Sequence, residues 1–202
     1  MNFTKTQMRL KTDYTLTAKI FHWLTALLVI YQLGSGMWMT SAIFDIKLRA
    51  IAWKTYQNHK SIGITILLIT LLRGIWRISH PPPDHTNWLK RWERYAALTA
   101  HLSLYGILIF NPLLGWIMVS TSPLKLPTII FSWFTWPHIP IPEYLHPYDV
   151  YITSKSLHQF TGYLLIIILF IHISAALKHH FIDKNAVLQS MLPKFTTTEK
   201  KS

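Results

Sequence analysis

The chain has 202 residues, 50% of them apolar and only 14% charged, where soluble domains carry about 25%. It contains no cysteine, which excludes disulfides, thiolate-held zinc, iron–sulfur clusters on cysteine and any group attached through C-x-x-C-H. A net charge of +12 would suit a nucleic-acid binder, but with a positive mean hydropathy the membrane is the first reading, and the charge is interpreted after the spans are placed.

Four stretches are long and apolar enough to cross about 30 Å of hydrocarbon, which takes about 20 helical residues. The first, residues 18–39, follows the basic residues Lys5, Arg9, Lys11 and Lys19. No small-residue cleavage site follows it, so it is expected to be a retained span and not a secretory leader. It carries His22 near its start. The second, residues 59–78, opens on His59 and closes with Arg73 and Arg77 on one helix face. The sequence His80-Pro81-Pro82-Pro83-Asp84-His85 then predicts a stiff turn. The third span, residues 96–119, carries His101 and, mid-way, Pro112, where a kink is expected.

Residues 120–155 form a long connection with six prolines. Its aromatic run at 129–136 is too short to span and is expected to cap the membrane interface. The fourth span, residues 157–177, carries His158 and His172. The tail from Phe195 is polar and expected to be mobile. The whole chain, 1–202, reads as one domain: an all-α integral membrane four-helix bundle, since the backbone must satisfy its own hydrogen bonds in lipid.

Fourteen Lys and Arg fall on the two tails and the second–third connection, against six on the opposite side (Lys47, Arg49, Lys54, Lys60, Lys125 and Lys155). The positive-inside rule therefore places both termini in the cytoplasm. Trp23, Trp76, Trp88 and Trp92 then lie at the inner boundary and Trp38, Trp53, Trp116, Trp133 and Trp136 at the outer one, as aromatic belts do. Most of the charge is topogenic, so no nucleic-acid partner is implied.

Histidine inside a membrane is costly and by default functional. His158 and His172 are 14 residues apart, about four turns and a rise of about 21 Å, so both leave the same helix face near opposite boundaries. By depth His172 meets His22, and His158 meets His59. Two histidine pairs at two depths, without cysteine, are what two bis-histidine b-type haems require. Zinc on the pairs is the competing metal reading, but each pair lacks further nearby ligands. Gly63 and Gly162 each follow a histidine by four residues on the same face, which either leaves room for a porphyrin edge or permits close helix packing. His101 enters the third helix within reach of the inner layer, able to bond a haem propionate or a quinone carbonyl, or to stabilise helix contacts. Arg73 and Arg77 on the inner side, and Lys60 and Lys155 on the outer, suit propionates or simply snorkel to the interface. His80, His85, His138 and His146 are expected in solvent, and His179 and His180 at the inner interface.

The pieces Ala18-Lys19-Ile20-Phe21-His22-Trp23-Leu24, His59-Lys60-Ser61-Ile62-Gly63, Leu72-Arg73-Gly74-Ile75-Trp76-Arg77, His101-Leu102-Ser103-Leu104-Tyr105, and Ser154-Lys155-Ser156-Leu157-His158 followed by His172 come in a specific order and spacing. In these the chain resembles the bacterial cytochrome b561 family over nearly its whole length. The resemblance implies two haems b on His22, His59, His158 and His172, in the bacterial inner membrane. It also implies electron exchange with quinone and, in at least one branch, oxidation of periplasmic superoxide. The long 120–155 segment departs from the family pattern. The leading expectation is a di-haem oxidoreductase carrying single electrons from a periplasmic donor such as superoxide to ubiquinone. The alternatives are a cytochrome b subunit linking a dehydrogenase or hydrogenase, docked at the outer face, to quinone, and a haem-free transporter using histidine metal sites.

Overall fold

The computed structural model describes residues 13–81, 83 and 89–192. Lys5, Arg9, Lys11, His85, Trp88 and the tail from Phe195 lie outside the described residues. Four helices are long and apolar enough to cross a membrane: α1 (Leu16–Ala42), α2 (Arg49–Ser79), α3 (Arg91–Ser120) and α4 (Pro147–Phe181). A short helix, α5 (Val187–Met191), follows them. The protein is a multi-pass all-α membrane bundle, in which α1 packs along α2, α3 along α4, and α2 against α3.

The bundle is patterned for lipid. Leu27, Phe110 and Phe170 point outward, while Thr25, Ser35, Ser61 and Thr70 are buried. Apolar side chains gain nothing by leaving lipid, so the interior is assigned to small and hydrogen-bonding residues that let helices approach. At mid-depth each helix gives one apolar residue to a common core: Val29, Ile66, Ile107 and Leu165.

Two helices begin about ten residues before the apolar windows do, α2 at Arg49 and α4 at Pro147. Hydropathy marks where a chain crosses hydrocarbon, not where its helix starts. No Gly or Pro interrupts 49–58 or 148–156, and Pro147 opens α4 at a position where its missing N–H costs nothing. At 1.5 Å per residue the 31 residues of α2 and 35 of α4 measure about 46 and about 52 Å, well beyond the hydrocarbon thickness. α3 continues past Pro112 without a break in the helix.

The aromatic run in the long connection is not helical. It forms an antiparallel hairpin, β1 (Thr128–Ile130) with β2 (Phe134–Trp136), whose turn uses Phe131 and Ser132 at φ 45° and 66°. Side chains of α2 hold it. Lys60 Nζ donates to the Pro127 carbonyl at 2.8 Å, Ile129 N–H donates to Gln57 Oε1 at 3.2 Å, and Phe131 N–H to Ser61 Oγ at 3.1 Å. On α3, Trp116 Nε1 donates to the Pro137 carbonyl at 2.9 Å and Ser120 Oγ accepts from Ile139 N–H at 2.9 Å. The hairpin thus marks one end of the bundle, here the hairpin side.

At the other end, the tail side, α5 returns to the start of α1. Lys19 Nζ donates to the Leu192 carbonyl at 2.8 Å and Trp23 Nε1 to the Met191 carbonyl at 3.0 Å. Thr15 caps α1 by accepting from Ala18 N–H, and its hydroxyl oxygen also accepts from Trp76 Nε1 at 3.2 Å, joining α1 to α2.

Candidate functional site

The helices bring the four span histidines together in two pairs. On the tail side, the rings of His22 (α1) and His172 (α4) have centres 6.3 Å apart. On the hairpin side, those of His59 (α2) and His158 (α4) are 6.2 Å apart. A metal–imidazole bond of about 2.0 Å plus about 1.1 Å from nitrogen to ring centre, taken on both sides of one metal, gives about 6.2 Å. The separation of each pair equals that of two imidazoles on one metal.

Hydrogen bonds orient the hairpin-side rings. His158 Nδ1 faces the Asn111 carbonyl at 3.0 Å; a carbonyl only accepts, so the ring proton sits on Nδ1 and Nε2 is free to ligate. His59 Nδ1 lies 3.3 Å from Ser35 Oγ, whose own proton goes to the Gln32 carbonyl, so this ring is likewise a donor at Nδ1. Gln32 Nε2 in turn donates to the His59 carbonyl at 2.8 Å, and Thr161 Oγ1 to Asn111 Oδ1 at 2.9 Å.

Glycines let backbone approach these rings. A Cβ on Gly36 would stand 3.0 Å from His59 Cε1, and one on Gly115 3.2 Å from His158 Cε1. Sequence reasoning chose Gly63 and Gly162 instead. A Cβ on Gly63 would meet the Gln32 amide at 3.2 Å, so that space is already filled, while Gly162 has no heavy atom within 4 Å of its Cβ position. Gly36 and Gly115 were detectable: each lies fourteen residues after a span histidine, His22 and His101, and so on the same helix face.

The tail-side layer is furnished differently. Arg73 Nη2 is 3.2 Å from His22 Nδ1, and the His101 ring centre is 5.5 Å from that of His172. The Arg73 and Arg77 guanidinium groups lie over the Tyr105 ring at 5.4 and 6.0 Å. Gly74, Arg77, Leu98, His101, Leu102 and Tyr105 line a groove of about 340 Å³ between α2 and α3. The Tyr105 hydroxyl is buried there without a hydrogen-bond partner.

Other expected site residues fall elsewhere. Lys155 is exposed near the hairpin-side layer. Lys60 is turned away to the Pro127 carbonyl. His80 stacks on Trp76 at 3.9 Å, His138 is half-buried with Nε2 enclosed, and His146 is exposed at the start of α4. His179 and His180 lie on the last turn of α4, with His179 Nδ1 2.6 Å from Asp183 Oδ2. Among the described residues, Glu93, His179 and Asp183 form the one cluster of three ligand types close enough to share an ion. The Lys178 ammonium already sits between its carboxylates, at 2.7 and 2.8 Å. Neither histidine pair belongs to such a cluster among the described residues.

Four spanning helices with imidazoles paired at two depths define a multi-pass membrane protein with histidine pairs inside its bundle. The chain belongs to the prokaryotic cytochrome b561 family, whose model matches residues 13–194. It is 33% identical to cytochrome b561 homolog 2 of Escherichia coli K12 over 96% of both chains. It is also 26% identical to a probable superoxide oxidase, CybB, of Yersinia pestis, over 86% of this chain and 92% of that one. Cytochrome b561 homolog 1 of Escherichia coli K12 is 25% identical, over 95% and 97%. The family makes this a haem-b-binding membrane cytochrome that carries electrons.

Proposed function

We propose that the protein holds two haems b, one on His22 and His172 and the other on His59 and His158, and carries single electrons across the bacterial inner membrane from a donor on the hairpin side to quinone. The observation that carries this reading is the pair of matched ring separations, 6.3 and 6.2 Å, in two layers joined by one helix. Bound haem supplies reversible one-electron chemistry at iron. The chain's own contribution is to fix ring tautomers through Asn111 and Ser35, to clear the ring faces with Gly36 and Gly115, and to exclude water with the apolar core between the layers.

Positive charge on the tails orients the tail side to the cytoplasm, so the hairpin side faces the periplasm. Superoxide is the donor that fits the Yersinia pestis relative's name. Two superoxide anions each give one electron and leave as O2; quinone takes both electrons and two protons from water to become quinol. The exposed Lys155, with Lys54 and Lys125, attracts the anion by steering. Arg77, His101 and Tyr105 present donors to carboxylate or carbonyl oxygen on the tail side, while Arg73 stands against His22.

A second reading, docking of a dehydrogenase or hydrogenase on the hairpin side, is favoured by the bare hairpin tip, where Trp133 is 86% exposed. A reduced-minus-oxidised visible spectrum with haem counted per chain tests the assignment. Two haems in the native chain, falling to one in His59→Ala and in His22→Ala, are expected; one haem or none in the native chain overturns it. Superoxide-driven quinone reduction by the chain alone then separates the first reading from the second, which needs a partner.

A further inference from the structure

The two histidine layers share one register but are filled unequally, and we infer that Arg73 makes the His22–His172 layer the place where an electron rests, giving transfer its direction. This rests on the assignment of haem to both pairs. Seven residues are nearly two helical turns, so residues seven and fourteen apart share a face. From His59 on α2 this face carries Ile66 and then Arg73; from His101 on α3, Leu108 and then Gly115; from His22 on α1, Val29 and then Gly36. The tail-side layer therefore holds two imidazoles with Arg73 and His101. The hairpin-side layer holds two imidazoles with two glycines.

A guanidinium is always charged and only donates. In the contact at 3.2 Å, His22 Nδ1 accepts from Arg73. With a metal held at Nε2 the ring proton would belong on Nδ1, and the guanidinium would stand beside the ring as a fixed positive charge. No carboxylate lies within ion-pair distance of Arg73 or Arg77 among the described residues. A positive charge stabilises the reduced state of a nearby centre, which carries one unit less positive charge.

The hairpin-side layer has the opposite character. His59 and His158 donate from Nδ1 to the neutral acceptors Ser35 Oγ and the Asn111 carbonyl, which raises ligand basicity and favours the oxidised metal. Among the described residues no cation bonds to either of these rings as Arg73 does to His22. Lys60 is directed to the Pro127 carbonyl and over Trp53, and Lys155 is exposed. Both effects place the electron on the tail side.

The test is a potentiometric titration of the visible spectrum in the full-length protein with haem counted per chain. Two components are expected, and the one lost in His22→Ala should have the higher midpoint. Arg73→Gln should lower that component by a tenfold or greater change in its equilibrium, about 59 mV for a one-electron couple, and leave the other in place. Arg73→Lys, which keeps the charge, should recover most of the difference. A lower midpoint for the tail-side component in the native chain overturns the inference, as does an Arg73→Gln protein with both haems and unmoved midpoints. Should Arg73→Gln lose haem, the order of midpoints in the native chain, assigned through the single-histidine variants, still decides. A native chain with fewer than two haems removes the two-haem assignment, and this inference falls with it.

Discussion

Gly36 and Gly34 lie two residues apart on α1, and replacing each by alanine should have opposite effects. A Cβ at Gly34 meets no atom within 4 Å, so Gly34→Ala gains the helix preference of alanine over glycine, about 1 kcal/mol, and should keep both haems. A Cβ at Gly36 would stand 3.0 Å from His59 Cε1, where carbon–carbon contacts prefer about 3.5–4.0 Å. The ring must therefore retreat by about 0.5–1 Å, while metal–ligand distances tolerate only about 0.2 Å. Gly36→Ala should thus lose the hairpin-side haem or hold it far more weakly, while the tail-side haem stays. The assay is haem per chain and the reduced-minus-oxidised spectrum of each variant, beside a melting curve of each. Gly36→Ala with two haems and an unchanged spectrum would show that the close approach to His59 does not matter for ligation and refute the reasoning.

Three further outcomes are expected. Ser61 is 1% exposed and its hydroxyl accepts from Phe131 N–H, so Ser61→Ala should destabilise the hairpin by about 1–3 kcal/mol, seen as faster proteolysis within 128–136. Leu165→Ala opens a cavity between the histidine layers and should cost about 2–5 kcal/mol in thermal unfolding. Asp183, beyond the end of α4, is held below the usual carboxylate range by its bonds to the Lys178 ammonium and to His179. Its folded-state value is depressed, so its contribution is present above the ordinary aspartate range near about pH 3.9 and is lost as pH falls through the lower folded value. Hydrogen exchange across 183–192, corrected for intrinsic rate, should rise over that interval, and Asp183→Asn should raise it at neutral pH.

The spans were legible because crossing hydrocarbon imposes a composition that few other structures need. Their ends were not: the first ten residues of α2 and of α4 are polar and aromatic, and nothing in their hydropathy separates a helix standing above the membrane from a loop. Histidine pairing could be read because His158 and His172 share one helix face, which fixes depth as well as direction. The fourteen-residue spacing from His22 and His101 puts Gly36 and Gly115 on inward faces, but the rings they clear, His59 and His158, stand on other helices, and the glycine next to each histidine in its own helix drew the reading instead. Lys60 was read as a free cation because its neighbour in sequence is His59. The hairpin that claims it turns on positive-φ Phe131 and Ser132, where Gly, Asn or Asp would have marked the turn.

The core of Val29, Ile66, Ile107 and Leu165 separates the two layers with side chains that carry neither acid nor base. With a haem in each layer as proposed, an electron exchanged between them moves about 21 Å along α4, about 0.7 of the hydrocarbon thickness, and these four side chains offer no group to carry a proton with it. Such a movement is felt by the membrane voltage. At about 2.3 kcal/mol per charge per 100 mV for a full crossing, each 100 mV negative on the tail side opposes transfer by about 1.6 kcal/mol. Turnover in a sealed vesicle should therefore slow as the membrane charges and recover when an ionophore collapses the voltage.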